Sequence, residues 1–317
     1  MILKFWLNIM IKNLIKVINC PICKSERSLL KGKIRSKIEQ IDKYFSLKLC
    51  VNCNHRYLSE FPKTEYLNNL YKTNSNLVFD HDPSEESRKE NFKKYGFDNV
   101  LPIDEHWIFS YINLNKAEEY LEIGPGLCRM YKTFYQKGWE CNGIDLQPFV
   151  IAPGIVKSLD HINNESKSVA VAFDVLEHTT DPVELLNIIN NKMKNDGLLF
   201  LTFPNADSFR SRILKSSWGM VVPLAHINFF SKKSLKLALE QSNFEIKHLS
   251  NFSLVDPKRL VKNFIKLPTK ILLDLIKLDI KSIFSRITEF LLNILDLLNG
   301  DQMKVVAIKK AKKKIMN

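Results

Sequence analysis

From residue 117 onward, short apolar runs alternate with longer stretches in which apolar residues recur every three or four positions. The runs EYLEI, CNGID, VAVAFD, LLFLTF and FEIKHLS predict strands near 118–123, 141–145, 169–174, 197–203 and 244–250, with a shorter one near 154–157. The periodic stretches predict helices over 127–137, 182–194 and 232–242, and Ile103 to Lys116 predicts another that leads into the first strand. Strand and helix in strict alternation imply a mainly parallel sheet with helices on both faces.

Either side of this block the rhythm differs. FSLKLC and HRYLSEF read as two short strands, TEYLNNLYK as a helix, and DHDPSEESRKE as an exposed loop or helix start. Met1 to Asn19 is apolar, but Lys4, Lys12 and Lys16 interrupt it. It predicts an amphipathic helix, on a membrane surface or on the protein itself, in preference to a signal segment. Between Lys270 and Leu298, polar residues recur at Lys270, Asp274, Lys277, Lys281, Ser285 and Thr288. That spacing gives a helical region with a wide apolar face, which must pack on the sheet, on a partner or on lipid. No apolar run reaches membrane-spanning length.

A chain of 317 residues with 45% hydrophobic content can bury one α/β core of roughly 200 residues with smaller appendages. The net charge of +13 points to an acidic partner such as nucleic acid or anionic lipid. The excess is local, since residues 258–317 hold 14 Lys or Arg against 5 Asp or Glu. The chain is also rich in Lys, Ile and Asn throughout, which weakens charge as a functional signal.

Candidate chemistry enters in two places. Cys20-x-x-Cys23 and Cys50-x-x-Cys53 are two knuckles with a 26-residue spacer, a pattern suited to tetrahedral Zn²⁺, with His55 an alternative to Cys53. Cys128 and Cys141 read as small buried residues. Further along, the first strand ends at Glu122 and runs into Gly124-Pro125-Gly126, and the second ends at Asp145. A glycine turn lets backbone approach a cofactor, and an acid at the tip of the next strand can accept both hydroxyls of a ribose.

In order, YLEIGPGLCRM, GIDLQP, VAVAFDVLEHTTDP, GLLFLTFPN and HINFFSKKSL resemble the class I S-adenosylmethionine-dependent methyltransferases, in the branch that includes small-molecule and sugar methyltransferases. The resemblance implies an α/β, Rossmann-like seven-stranded sheet whose last strand, MKVVAIKKA at 303–311, enters antiparallel. Residues 117–256 and 301–317 would then form the methyltransferase domain. Residues 257–300 would be a basic helical insertion, 20–60 a zinc module and 61–116 a connector with a substrate-side cap. The implied cofactor contacts are Glu122, Gly124, Pro125, Gly126, Asp145, Leu146, Asp174 and Val175. Cys128 stands where the usual pattern has its third glycine.

His226 and His178 are the candidate general bases. The His226 position resembles the Glu-His pair of zinc-containing deoxysugar C-methyltransferases, but Ala225 replaces the Glu. Sugar O-methylation fits at least as well. The expected protein is therefore a cytoplasmic enzyme using S-adenosylmethionine and structural zinc, acting on a sugar or glycan precursor. Peripheral membrane contact through 1–19 and 257–300 is the associated expectation. The rivals are a zinc-finger ribosomal RNA methyltransferase and a non-catalytic binding protein on the same fold. Against the RNA reading, the lysines accompany apolar helices in place of base-stacking aromatic residues.

Overall fold

The computed structural model describes residues 14–35, 43–63, 103–126, 128–145, 152–156, 158–223, 225–255, 257–276 and 279–311. The expected helix over 64–72, the loop over 80–90 and most of the 1–19 segment lie outside them. The described end of that first segment corrects the expectation: Leu14–Lys16 is a strand, β1. It pairs antiparallel with β5, Glu60–Pro62, because Val17 and Phe61 have a core to enter there.

Between them, β2 (Ser28–Arg35), β3 (Tyr44–Cys50) and β4 (Arg56–Leu58) form an antiparallel ribbon carrying both cysteine knuckles. A 3-10 helix over Ile103–Ser110 replaces the longer helix expected to Lys116. The central sheet then begins with β6 (Glu119–Ile123), followed by α1 (Arg129–Gln136), β7 (Glu140–Ile144), the two-residue β8 (Ile155–Val156) and β9 (Lys167–Phe173). It continues through α2 (Pro182–Lys192), β10 (Met193–Pro204), α3 (Phe209–Leu214), β11 (Asn228–Phe229), α4 (Lys232–Gln241) and β12 (Phe244–Phe252). Two long helices, α5 (Pro257–Ile276) and α6 (Ile280–Asn299), precede the last strand, β13 (Gln302–Lys309).

Seven strands make the central sheet, in the order β12-β13-β10-β9-β6-β7-β8. Only β13 runs against its neighbours, antiparallel to both β10 and β12, as expected for its sequence. Chain order turns back between β6 and β9, which places a crevice at the carboxyl ends of these strands, where ligands of open α/β sheets bind. The core is two-sided. Leu121, Ala170, Leu199, Leu201 and Val305 point to one face, and Tyr120, Val169, Val171, Phe200 and Val306 to the other. That explains why these strands read as continuous apolar runs.

Local chemistry fixes the helices. Asp181 caps α2, its side chain accepting from the Glu184 amide at 3.0 Å, with Pro182 opening the helix. Ser231 and Ser234 form a reciprocal capping box on α4. The buried Lys309 ammonium donates to the Asn190 and Met193 carbonyls at 2.9 and 2.7 Å, closing the end of α2 from the antiparallel strand.

One element was not legible. Asn228–Phe229 adds a fourth strand to the cysteine ribbon by pairing with Arg56 and Tyr57, giving the order β11-β4-β3-β2. The ribbon is therefore woven into the block that carries the seven-stranded sheet, where a separate module was expected. Arg56 reinforces the junction by donating to Ser211 Oγ at 2.6 Å, and Ser231 Oγ donates to the Cys53 carbonyl at 3.2 Å.

Candidate active site

Gly124, Asp145 and Asp174 each follow directly on the carboxyl end of a parallel strand, β6, β7 and β9, which are adjacent in the sheet. Gly124 has φ of +67°, and a Cβ there would stand 2.9 Å from Val175 Cγ2, so a side chain would close the turn. The Gly126 amide donates to Asp145 Oδ2 at 3.0 Å, holding the acid of the second strand against the glycine turn of the first. Glu122 is buried in this wall and accepts from the Tyr120 hydroxyl at 2.8 Å. Pro125 is buried too, and its carbonyl accepts from the Cys128 amide at 2.6 Å.

Cys128 caps the start of α1 with φ of 55°, the left-handed region that favours glycine. The departure from the usual glycine is therefore a side-chain change on a retained backbone conformation. Leu146 lies outside the described residues.

Asp174 also has positive φ, 53°, and accepts from Thr202 Oγ1 at 3.3 Å. Its surface is open to the crevice, yet the surrounding protein pushes its carboxyl up, with the Thr202 hydroxyl opposing. Three residues on is Glu177, a side chain that sequence reasoning passed over. It is 1% exposed, and neither carboxylate oxygen has a hydrogen-bond partner. Burial, with Asp174 adding repulsion, pushes its carboxyl well above the ordinary carboxylate range. The signal available in the sequence was the acid itself beside His178, on a turn otherwise made of apolar residues.

His178 and His226 come together across 48 residues, their rings T-shaped with centroids 4.7 Å apart. His178 Nδ1 lies 3.0 Å from the Ala225 carbonyl and His226 Nδ1 lies 2.8 Å from the Met220 carbonyl. A carbonyl only accepts, so both Nδ1 atoms carry the proton and both Nε2 atoms keep a lone pair. Burial, then the neighbouring His226, holds His178 down to about 3, and burial lowers His226 as well. One donor atom from each of Glu177, His178 and His226 lies within 4.8 Å of the others.

The four cysteine sulfurs form a second cluster, also within 4.8 Å of one another. Cys20 and Cys53 Sγ are 3.6 Å apart, Cys23 and Cys50 Sγ 3.4 Å, and none is in a disulfide. Zinc–sulfur bonds of about 2.3 Å set sulfurs about 3.8 Å apart in a tetrahedron, so the donor set fits that ion. Each knuckle closes by the same turn, with Lys24 and Asn54 at φ of 57° and 60°. Their amides donate to the Cys20 and Cys50 carbonyls. His55 is not among the donors. Its Nε2 is 3.0 Å from Asn228 Oδ1, and its ring lies against Tyr57 and Phe230. Asn228 in turn donates to the Thr179 carbonyl at 2.6 Å, tying the ribbon to the turn that carries Glu177 and His178.

Residues 106–249 match a family model described as a methyltransferase domain. The strand order, with β13 antiparallel, and the crevice between β6 and β9 have the Rossmann-like architecture of such a domain. Among solved structures, the chain is similar to phosphoethanolamine N-methyltransferase 2 of Haemonchus contortus bound to S-adenosylmethionine, at 12% identity and TM-score 0.48. That match covers 81% of this chain and 63% of the other, so the chain spans under two thirds of that enzyme's length. It is also similar to an S-adenosylmethionine-dependent methyltransferase of Archaeoglobus fulgidus, at 18% identity and TM-score 0.41, covering 65% of this chain and 93% of the other. No curated protein sequence matches it.

Proposed function

We propose that the chain methylates a small molecule, most directly a hydroxyl of a sugar or glycan precursor, and that its four cysteines hold a structural zinc ion. The observation that carries the acceptor reading is the neutral His178–His226 pair, rings 4.7 Å apart with both Nε2 lone pairs left over, His178 lying on the turn that follows β9.

The bound cofactor supplies an electrophilic methyl group on a sulfonium. Gly124 and Gly126 give its methionine part a turn without side chains, and Glu122 fixes the wall behind that turn. Asp145 accepts the ribose hydroxyls in place of the Gly126 amide. Asp174 and Val175 line the floor beneath the reacting centre. His226 Nε2, or His178 Nε2 beside it, takes the proton at the acceptor oxygen. The ribbon contributes by position: with zinc holding its knuckles, β4 holds β11, and β11 sets the loop that carries His226.

The α5–α6 pair adds a partner. No helix among the described residues is long and apolar enough to cross a membrane. One edge of α6 docks on the domain through Arg210, which donates to Asp296 at 2.5 Å and to Asn293 and Glu289. Elsewhere on the pair Val261, Phe264, Ile265, Phe284 and Leu291 are exposed, and α5 also carries the exposed Lys258, Lys262 and Lys266. Apolar side chains among lysines suit the surface of an anionic bilayer, where a lipid-linked sugar would also reside.

The test is transfer of labelled methyl from S-adenosylmethionine to sugar nucleotides, lipid-linked sugars and RNA in parallel. Label in a sugar fraction, lost in His226→Ala, supports the reading. Label confined to RNA moves the function to the RNA class.

A further inference from the structure

We infer that Glu177, His178 and His226 bind one divalent cation, separate from the four-cysteine cluster, on the acceptor side of the cofactor crevice. The position of this site rests on the methyltransferase reading, but its donor geometry does not.

Three observations converge. One donor atom from each side chain already lies within 4.8 Å of the other two. Metal–nitrogen and metal–oxygen bonds of about 2.0–2.2 Å set tetrahedral donors about 3.3–3.6 Å apart, so a closure of at most about 1.5 Å by side-chain rotation completes the set. Both imidazoles are also held as ligating histidines are held. Each Nδ1–H rests on a backbone carbonyl, at 3.0 and 2.8 Å, which fixes the tautomer and leaves Nε2 for the metal.

The third observation is Glu177. Its backbone is accounted for, the carbonyl accepting from the Ile227 amide at 2.9 Å, but both side-chain oxygens are buried with no partner. A buried carboxylate left unpaired is costly, and a cation between it and two imidazoles removes that cost. Its chain neighbour Leu176 and its backbone partner Ile227 are buried and apolar, and give no reason for an acid at this position.

Two nitrogens and one carboxylate leave coordination positions open, the arrangement of metal sites that hold a substrate. The cation is a first-row divalent ion that accepts mixed nitrogen and oxygen donors, such as Zn²⁺ or Mn²⁺. The fitting acceptor presents a hydroxyl oxygen to it, and coordination lowers the pKa of that hydroxyl. The hydroxyl proton leaves to solvent, and the oxygen lone pair forms the new C–O bond. The C–S bond breaks with its electron pair remaining on sulfur. With the cation bound, the two Nε2 lone pairs are on the metal, so the proton-acceptor role given to the histidines above passes to solvent.

The test uses the full chain already carrying zinc at its cysteines. MnCl₂ is titrated with free Mn²⁺ read by electron paramagnetic resonance, and ZnCl₂ and S-adenosylhomocysteine are titrated by calorimetry on the same samples. One further cation per chain is expected, with affinity falling by roughly 100-fold or more in Glu177→Gln and in His226→Asn. Zinc at the cysteines and S-adenosylhomocysteine affinity should persist in both. His226→Asn lies in a loop and keeps the test decisive where Glu177→Gln does not fold. No binding of either ion beyond the cysteine site, or unchanged binding in the variants, overturns the inference. Cofactor binding without a second cation would leave the methyltransferase reading standing, and a second cation without cofactor binding would do the reverse.

Discussion

The cysteine cluster and the Glu177–His178–His226 cluster both bring their donor atoms within 4.8 Å of one another, by different construction. Each cysteine pair sits on its own four-residue knuckle, closed by a left-handed residue and a local hydrogen bond, so the donors are positioned before the two knuckles meet. The histidine cluster is local only in part: Glu177 and His178 share one 3-10 turn, but His226 comes from elsewhere in the chain. Its parts come from the turn after β9 and the loop before β11, oriented by carbonyls of Met220 and Ala225 and kept in register by the β4–β11 pairing. A donor set built locally suits a structural ion. One assembled by the fold, in a crevice, with an unpaired buried carboxylate, suits an exchanging ligand.

Removing a thiolate should break this comparison most severely. Structural zinc binding contributes about 10–16 kcal/mol of apparent free energy, so Cys20→Ser should empty the site and melt the ribbon. Zinc content would fall well below one per chain, and amide exchange at 226–229 would rise as β11 loses its partner strand. A full zinc complement in that variant would show the four-cysteine assignment to be wrong. His226→Ala touches the other cluster alone. It should lower kcat by about 10²–10⁴ while the ribbon keeps its zinc and cofactor affinity holds.

Asp145→Ala sharpens the boundary between acceptor and cofactor groups. Losing charged hydrogen bonds of about 1.5–3 kcal/mol each should weaken S-adenosylhomocysteine binding by roughly 100-fold in calorimetry, with the fold intact. Unchanged affinity would remove Asp145 from the ribose role.

The titration of the histidine cluster runs in two directions. Below pH 6.5 the unfolded chain takes a proton at His178 that the folded chain refuses until about pH 3, so this contribution to stability falls as pH drops across that window. Glu177 opposes it: its folded carboxyl keeps a proton above 4.5, so its contribution is lost as pH rises through the raised folded value. Urea unfolding against pH should show a shallower acid limb in His178→Asn. The smallest expected effect is Asn228→Ala, which unpairs buried His55 and the Thr179 carbonyl and should cost about 1–3 kcal/mol in the same measurement.

Much of the sheet was legible because both of its faces are buried. Runs such as VAVAF and LLFLTF have no other stable use, and their ends at Phe173 and Pro204 each fall within one residue of expectation. The antiparallel final strand came from resemblance, and Lys309 shows its local fit by capping α2. The misplaced elements are short or at the margins. Leu14–Lys16 carries a helical spacing of lysines but pairs with Glu60–Pro62, and Asn228–Phe229 is too short to read as a strand until Arg56 and Tyr57 lie beside it.

By itself the sequence determined the alternation of strand and helix, the glycine turn with its acidic neighbours, and the two cysteine pairs. Each of these depends on residues a few positions apart, where backbone geometry is the controlling term. The tertiary structure alone decided that His55 faces Asn228 and not the sulfurs, that the ribbon takes its fourth strand from the chain beyond β10, and that Glu177 is buried near two histidines with no hydrogen bond to its carboxylate. Those outcomes depend on which surfaces exclude water from which side chains, and burial is a property of the assembled chain.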